Sequence, residues 1–481
     1  MLNLNRFLFL VFLIGIIYFF NLNNYLTAGG DDTCYFLLAK SLAKTKTYSD
    51  IYLPTPKPHT TYPPLFAFIL SILIQFGIEK IYLLKLFSIF CSLASLVVLW
   101  FILKYHNLKP YKIILLFALN PLFVYKSTNL LTEPLYMLVS FLAILFLDLS
   151  KKKNFYFFPA IFFIILAFYT RTIGVAFLGV IFIFYKNEIK KILLSTFLFV
   201  FASSFWFLRL FKFGGIYLDF LLKKETGWVS WTDLFFRFFR NFLVYITKVF
   251  GELFFYPYLD NITKKNPLIF VKVLLSLILV FFILRGYLSI SKKKTSFCSY
   301  IVFFLIICFL WPLYGARFIL PIFCFLILFL FKGIEDFKFY KFKTTLFWLL
   351  LFLYLFTNLP IAKGSFYSKE ELSFLDACFW IGSNTKKESI ILSRKPTVSF
   401  YFSNRASLPY KHADIKKKLD SLKLNKIDYI IFDIFGKEYQ EFGLWDTDKF
   451  LSPLLEKYPN CFKLVYITID TQTKVYKFEC K

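Results

Sequence analysis

The stretch AGGDDTCYFLLAKSLA, residues 28 to 43, places two adjacent carboxylates, Asp31 and Asp32, between a hydrophobic segment and a short amphipathic run. The hydrophobic segment, about residues 7 to 22, approaches the ~20 apolar residues that a membrane-spanning helix needs. It follows Arg6 and lacks a convincing small-residue cleavage site, so we interpret it as a retained membrane anchor. An acidic pair at the exit of a membrane anchor points to a function at one membrane face.

The rest of the chain is equally apolar. Its 481 residues are 58% hydrophobic, with a mean hydropathy of +0.64. Apolar runs of roughly 15 to 23 residues recur, which predicts a polytopic membrane protein and excludes a soluble one. With the first anchor we predict about eleven spans, the others at 81–103, 112–127, 130–149, 155–169, 172–185, 192–210, 267–284, 297–312, 315–331 and 344–360.

The net charge of +28 has a topological explanation. Basic residues cluster in short loops between the apolar runs, where the positive-inside rule places them in the cytoplasm. We therefore expect no nucleic acid partner. The five clusters put the N-terminus inside and the C-terminus outside; they are Lys104, Lys109 and Lys112; Lys151 to Lys153; Lys186, Lys190 and Lys191; Arg285 with Lys292 to Lys294; and Lys332, Lys338, Lys341 and Lys343.

Two segments need a decision within this topology. Residues 63–77 are apolar enough to span, but a span there would reverse every later loop, so we predict an outer interfacial or re-entrant helix. Residues 155–185 have lysines at both ends, so they must cross twice, in spans of about 22 Å each. The turn between them would place Arg171 below the outer surface, where a charge needs a polar cavity or a partner.

Two outer regions follow from the same topology. Residues 212–266 form a long aromatic, amphipathic outer loop. From about residue 361 the apolar runs shorten, and the pattern predicts an α/β domain with strands at 389–393, 427–433, 461–469 and 474–480 and helices near 369–385, 411–424 and 447–457. Cys461 and Cys480 flank two of these strands and could form a disulfide in an oxidising compartment.

Five charged residues meet on the outer face. They are Asp31, Asp32, Glu133, Arg171 and Arg317, the arginines being two of only nine in the chain. Each has a structural alternative: Asp32 could cap a helix, Glu133 could begin one before a proline, and the arginines could extend to the interface. Their convergence on one face favours chemistry, and the acidic residues Asp31, Asp32 and Glu133 are our candidate catalytic groups.

This set suits glycosyl transfer from a lipid-linked donor. A carboxylate can act as general base on an acceptor hydroxyl, and arginines can neutralise the leaving phosphate. In-line displacement would invert the anomeric centre. The sequence contains neither GxxxxGK[ST] nor GxGxxG after a strand, so it offers no nucleotide-phosphate loop.

The motifs GGDDTCYFLLAKSLA, TYPPLFAFIL, LTEPLYM, YTRTIG and GARFILPI, in this order, resemble the GT-C superfamily of membrane glycosyltransferases. The likeness is to the bacterial branch of protein O-mannosyltransferases and aminoarabinose transferases, and the tail LSRKPTVSFYFSNRASLPY resembles the small outer domain of that branch. The resemblance implies catalysis by the acidic pair, with Asp31 leading. The residue before the Pro-Pro pair, often basic or His in the family, is Tyr62, with His59 or Lys57 as possible substitutes in donor binding.

The resemblance also implies the architecture and the partners. We expect a GT-C-type polytopic α-helical domain, 1–360, with outer loops 23–80 and 212–266, and an extracytoplasmic α/β domain, 361–481. The donor would be a polyprenyl-phosphate sugar, bound through Arg171 and Arg317, and the acceptor a lipid, glycan or protein in the inner (plasma) membrane or outside it. We expect no cofactor and no metal, although paired carboxylates could hold a divalent cation.

Two other function classes remain open from the sequence. A transporter or flippase for lipid-linked saccharides would predict ionisable residues in mid-span and an internal helix repeat, and we find neither clearly. An O-antigen ligase or polymerase would explain outward arginines but leaves the early acidic pair unexplained.

Overall fold

The computed structural model of the chain describes residues 2–215, 219, 221–224, 227–259, 267–292, 295–359, 367–410, 414–433, 447–470 and 472–480. These residues form two compact units. The first comprises Met1–Asn23, Thr60–Phe66 and Tyr82–Lys363, and the second comprises Asn24–His59, Ala67–Ile81 and Gly364–Lys481.

The first unit is helical, as its apolar runs predict. Each predicted span coincides with one or two helices, which are α1 Leu2–Phe20, α4 Ile81–Tyr105, α5 Tyr111–Leu119, α6 Pro121–Ser127, α7 Glu133–Ser150, α8 Phe157–Thr170, α9 Ala176–Phe184, α10 Ile189–Phe213, α13 Ile269–Ser291, α14 Ser296–Leu310, α15 Ala316–Ile319, α16 Phe323–Asp336 and α17 Tyr340–Asn358. By length and composition, five described segments could cross a membrane: Ile81–Tyr105, Glu133–Ser150, Ile189–Phe213, Ile269–Ser291 and Ala316–Asp336. The count of eleven spans stays a prediction.

The predicted span 112–127 is not one continuous helix. It breaks between α5 and α6 at Asn120, because Pro121 has no N–H to continue the helical ladder. The side chain of Asn120 accepts hydrogen bonds from the N–H groups of Leu122 (3.0 Å) and Phe123 (3.3 Å) and so caps the second helix.

The segment 155–185 divides into two helices, as predicted, separated by a 3-10 turn at Thr172–Val175. Gly174 permits this turn: a Cβ atom there would lie 2.5 Å from the backbone nitrogen of Phe168. Arg171 is the residue at which α8 ends, in an extended conformation. Whether both helices cross the membrane stays a prediction.

Helices α13 and α16 cross at their glycines. A Cβ atom on Gly286 would lie 1.8 Å from the carbonyl oxygen of Phe329, and one on Gly333 would lie 1.9 Å from that of Phe282. No larger residue fits at either position, because backbone meets backbone there.

The two segments predicted to be outer loops contain further helices. Residues 65–75 form α3, whose 11 residues extend about 16 Å, too short to span a bilayer. In the loop 212–266, α11 (Trp231–Val244) begins with a capping box between Ser230 and Asp233 and leaves aromatic side chains exposed, in agreement with the amphipathic prediction. It is preceded by the short pair β3 Lys223–Lys224 and β4 Gly227–Trp228, and followed by α12, Phe250–Phe254.

The second unit contains a five-stranded sheet. Its order is β6-β5-β7-β9-β8, in which β5 pairs in parallel with β6 and β7, while β9 is antiparallel to β7 and β8. The four predicted strands are present, and β6 is an additional one that the sequence did not suggest. The strands are β5 Ile391–Leu392, β6 Ser407–Leu408, β7 Tyr429–Phe432, β8 Phe462–Ile467 and β9 Lys474–Phe478; the helices are α18 Lys369–Asn384, α19 Pro396–Ser403, α20 Ile415–Leu424 and α21 Thr447–Lys457.

Most of the segment predicted to be the first outer loop groups with this sheet. It contributes α2, Asp31–Thr45, and a hairpin of β1 Ser49–Asp50 and β2 Lys57–Pro58 to the second unit. The prediction assigned residues 23–80 to the first domain, so the observed grouping differs there. The predicted boundary between residues 360 and 361 lies outside the described residues.

Cys461 and Cys480 form a disulfide, as the sequence allowed, and join the two ends of the β8–β9 hairpin. The other six cysteines are free and buried.

Candidate functional site

The two carboxylates of the acidic pair have different environments. Gly30 precedes α2 in a left-handed conformation (φ +96°), and the helix begins at Asp31, whose side chain stays partly exposed. Asp32 is fully buried. Its oxygens accept hydrogen bonds from the N–H (2.6 Å) and hydroxyl (2.8 Å) of Thr27 and from the N–H of Thr33 (2.9 Å). Asp32 therefore closes the loop before the helix, whereas Asp31 is accessible.

The negative charge of Asp32 affects the second unit around it. Burial raises the pKa of the Tyr367 and Tyr401 hydroxyls, and the nearby charge of Asp32 raises both further. The pKa of the Glu371 carboxyl is also raised, first by burial and then by other charges that include Asp32. These three groups, all within electrostatic reach of Asp32, therefore stay protonated to a higher pH than usual.

The predicted donor-binding residues before the Pro-Pro pair differ in their surroundings. His59 is buried, and its Nδ1 lies 2.7 Å from Oδ1 of Asp50 in the second unit. Lys57 is exposed on β2 of the same unit. Tyr62 is half-buried and belongs to the first unit. Their roles in donor binding stay predictions.

In the first unit, Glu133, Arg171 and Arg317 form one cluster, although 184 residues separate the first from the last. Glu133 begins α7, Arg171 ends α8 and Arg317 lies in α15. Oε1 of Glu133 lies 3.0 Å from Nη1 of Arg171 and 2.9 Å from Nε of Arg317. The Glu133 side chain is fully buried, while those of the arginines are 19% and 36% exposed. The structure thus brings together the three residues that the topology placed on one face.

The cluster has an excess of positive charge. Two guanidinium groups share one carboxylate oxygen, and Lys126 is close enough to interact electrostatically with Glu133. The other carboxylate oxygen, Oε2, is buried and makes no hydrogen bond to another described residue. Such a group of cations, held partly exposed by a buried carboxylate, can bind a phosphate oxygen by charge-assisted hydrogen bonds.

Two lysines of the first unit, Lys85 and Lys272, are fully buried and were not among the predicted site residues. Nζ of Lys85 donates to Oδ1 of Asn23 (2.8 Å) and Oδ1 of Asn129 (3.0 Å), and Lys272 lies 2.6 Å from Oε1 of the buried Glu252. A lone lysine within an apolar run is itself a signal of a buried polar contact. Their asparagine and glutamate partners lie too far along the chain for any local pattern to indicate.

The requirements of a metal site are not met among the described residues. Among the described residues, no three His, Cys, Asp or Glu side chains are grouped so that they could hold a metal ion.

Comparisons with known proteins bear on the fold. No protein-family model and no curated protein matches the chain. Among solved structures, the archaeal oligosaccharyltransferase AglB from Archaeoglobus fulgidus, in complex with an inhibitory peptide and a dolichol-phosphate, matches 98% of this chain and 74% of its own, with a TM-score of 0.54 at 14% identity. ArnT from Cupriavidus metallidurans matches 99% of this chain and 98% of its own at 11% identity, with TM-scores of 0.49 in the apo state and 0.47 bound to undecaprenyl phosphate.

At such low sequence identities, a structural likeness shows the fold alone. The match to AglB covers 98% of this chain with a TM-score of 0.54, which is sufficient to show a shared fold. The predicted assignment to the bacterial branch stays a prediction. The predicted fold class is confirmed to this extent: the chain has the helical fold of AglB, together with a small C-terminal α/β sheet.

Proposed function

We propose that the protein is an inverting glycosyltransferase that moves a sugar from a polyprenyl-phosphate donor to an acceptor hydroxyl. The observation that carries this proposal is the convergence of Arg171 and Arg317 on the buried carboxylate of Glu133. The shared fold supports it, because AglB has been solved with a dolichol-phosphate. We assign the leaving phosphate of the donor to the two arginines, which neutralise the negative charge that grows on it.

We assign the general base to Asp31. The base must reach an acceptor hydroxyl, and Asp31 is the partly exposed member of the pair, whereas Asp32 is buried and accepts three hydrogen bonds from Thr27 and Thr33. Asp31 would remove the hydroxyl proton as the acceptor oxygen attacks the anomeric carbon and the polyprenyl phosphate leaves. Asp32 then maintains the loop that presents Asp31.

Glu133 has a different use in this scheme. Its charge is engaged by both arginines, which makes it a weak proton acceptor and a suitable group for orienting them. We therefore propose that Glu133 positions the phosphate-binding arginines. With the charge of the leaving group neutralised by arginine, we further propose that the reaction needs no metal ion, so that a chelator would leave turnover unchanged.

We propose that the transfer occurs on the outer side of the membrane. The positive-inside pattern of the loops supports this side, and so does the disulfide of the C-terminal sheet, because disulfides persist in oxidising compartments. In intact cells, a cysteine introduced at the exposed position Asp420 should react with a membrane-impermeant maleimide. Reaction only after the cells are broken would contradict this orientation.

The experiment that tests the activity is a transfer assay with the purified protein in lipid. A panel of polyprenyl-phosphate sugars would be offered with candidate acceptors, and release of polyprenyl phosphate would be measured. Asp31→Asn should lower kcat at least ~10²-fold with little change in thermal stability, as loss of a general base requires. Arg317→Ala should lower donor binding as well as turnover.

Two controls separate chemistry from folding. Asp32→Asn should lower thermal stability, because an amide has one acceptor oxygen in place of two for Thr27 and Thr33. Asp420→Asn makes the same chemical change at an exposed position and should alter neither property. If Asp31→Asn turned over like the unsubstituted protein, the acidic pair would be structural and transport of lipid-linked saccharides would be the function to test.

A further inference from the structure

The C-terminal sheet has the topology of a ligand-binding α/β sheet. Its parallel strands have the order β6-β5-β7. After β5 the chain continues through α19 to β6 on one side, and after β7 it continues through α21 to β8 on the other side, so the connections that leave β5 and β7 run in opposite directions. In open α/β sheets, ligands bind at such a switch point, beyond the carboxyl ends of the strands. The switch point here lies between β5 and β7.

A buried ion pair joins the residues that follow these two strands. Arg394 follows β5, Asp433 follows β7, and Nη2 of Arg394 lies 2.8 Å from Oδ1 of Asp433. Both side chains are almost fully buried. The next residue, Lys395, is fixed through its backbone, since its N–H donates to the hydroxyl of Ser393 (3.1 Å).

The chain's own acidic loop is held at this point. Nζ of Lys395 donates to the carbonyl oxygen of Gly29 (2.8 Å), and the hydroxyl of Thr397 donates to that of Gly30 (3.4 Å). The hydroxyl of Tyr367, which lies two residues before α18, donates to the carbonyl oxygen of Leu26 (2.7 Å). Three successive anchor points of the loop therefore accept hydrogen bonds from side chains more than 330 residues away in the sequence.

The approach at Gly30 is close. A Cβ atom there would lie 3.4 Å from Oγ1 of Thr397 and 3.5 Å from Cγ2 of Val398, and the left-handed φ already favours glycine. Phe36 of α2 adds an edge contact with Tyr401 of α19, with ring centroids 5.8 Å apart. The loop is thus held on both sides of Asp31, by its preceding carbonyls and by the helix that follows.

We infer that the switch point of the α/β sheet serves as a holder for the acidic loop, and that Lys395 and Thr397 are positioning residues for Asp31. They contact the two residues directly before Asp31 and act on the reaction only through it. The catalytic part of this inference rests on the proposed function, whereas the holding of the loop does not.

Lys395 also suits this position electrostatically. Asp31, Asp32 and Glu371 place three carboxyl groups in this region, and the ammonium group of Lys395 opposes their charge, lowering the pKa of Glu371 against the effect of burial. Replacement of Lys395 by a neutral residue would remove both the hydrogen bond to Gly29 and this compensation.

The test compares Lys395→Met, Lys395→Arg and Thr397→Val with Lys477→Met. Lys477 lies in β9 of the same sheet, where it is exposed and pairs with Glu479 at 3.2 Å. Lys477→Met therefore makes the same chemical change as Lys395→Met, but at a position that does not contact the acidic loop through this pair. Hydrogen exchange followed by mass spectrometry would report on the N–H groups of Thr27, Thr33 and Cys34, which are protected by hydrogen bonds within the loop.

We expect Lys395→Met to raise exchange in this loop at least tenfold, with the sheet unchanged, and to lower kcat about tenfold with the donor KM unchanged, since small misplacements of a reacting group are costly. Lys395→Arg keeps a hydrogen-bond donor and the positive charge, so its loop exchange and its kcat should both be close to those of the unsubstituted protein. Lys477→Met should change neither the loop exchange nor kcat. Unchanged loop exchange and kcat in Lys395→Met and Thr397→Val would overturn the inference, as would increased exchange throughout the sheet.

The two proposals fail separately. If the unsubstituted protein showed no transfer with any donor, the proposed function would fail while the exchange measurement still decided whether Lys395 holds the loop. If transfer occurred but substitution of Lys395 left hydrogen exchange in the loop unchanged, only the positioning role of Lys395 would be refuted.

Discussion

Replacement of Glu133 by glutamine tests the arginine cluster most directly. Glutamine keeps the size of the side chain but removes the charge that pairs with Arg171 (3.0 Å) and Arg317 (2.9 Å). Removing one member of a fully buried ion pair typically costs ~3–5 kcal/mol. The guanidinium groups here are 19% and 36% exposed and can recover hydration, so we expect a lower loss, about 2–3 kcal/mol.

The chain offers a matched control in Glu188. Its carboxylate also pairs with two cations, Lys151 at 3.2 Å and Lys191 at 2.5 Å, but its side chain is 37% exposed. Exposed pairs contribute roughly 0–1 kcal/mol, because solvent screens them and the side chains lose entropy. Glu188→Gln should therefore destabilise the protein by less than about 1 kcal/mol.

Thermal unfolding in detergent, with and without added polyprenyl phosphate, would measure both effects. At about 2 °C per kcal/mol, Glu133→Gln should lower the apparent Tm by roughly 4–6 °C and Glu188→Gln by no more than about 2 °C. Added polyprenyl phosphate should restore part of the loss in Glu133→Gln, because an anion replaces the missing charge. Equal Tm losses in the two variants, or no response of Glu133→Gln to the phosphate, would refute a buried carboxylate that holds two phosphate-binding arginines.

Three further predictions concern the second unit. Gly30→Ala should destabilise it by about 1–2 kcal/mol and reduce transfer, because φ is +96° there; thermal unfolding and the transfer assay would show this, and unchanged values would contradict it. The raised pKa of Glu371 means that its stabilising contribution is complete below the ordinary carboxyl pKa of 4.5 and is lost as pH rises through the higher folded-state pKa. Glu371→Gln should therefore gain in Tm over the unsubstituted protein as pH rises above 4.5, and a constant difference would contradict this. Replacing Cys461 and Cys480 by serine should cost about 2–3 kcal/mol, as expected for a cross-link over 19 residues, and an unchanged denaturation midpoint would contradict the estimate.

Much of the fold follows from local patterns. Hydropathy located the helices of the first unit to within a few residues, and alternating apolar residues located β7, β8 and β9. Two features were missed for physical reasons. The break at Asn120 depends on a single proline within an otherwise apolar run, and β6, Ser407–Leu408, is a two-residue strand defined only by its pairing with β5.

The candidate site was partly predictable. The topology placed Glu133, Arg171 and Arg317 on one face, and the structure joins them at a single oxygen atom, Oε1 of Glu133. Sequence reasoning gave Asp31 the leading position and Asp32 helix capping as an alternative, but it made both of them candidate catalytic groups. Their difference in burial depends on Thr27, which folds back to donate two hydrogen bonds to Asp32, and no pattern in the sequence indicates that contact.

The polytopic helical fold and the acidic first loop follow from the sequence alone, because membrane-length apolar runs and basic loops are local properties that decide which segments enter a bilayer. The three-dimensional structure was needed to show which carboxylate of the acidic pair is buried, that Glu133 pairs with both arginines, and that Lys395 donates to Gly29, 366 residues away in the sequence. Those distinctions depend on burial and on hydrogen bonds a few ångströms long, between residues whose separation along the chain contains no information about their separation in space.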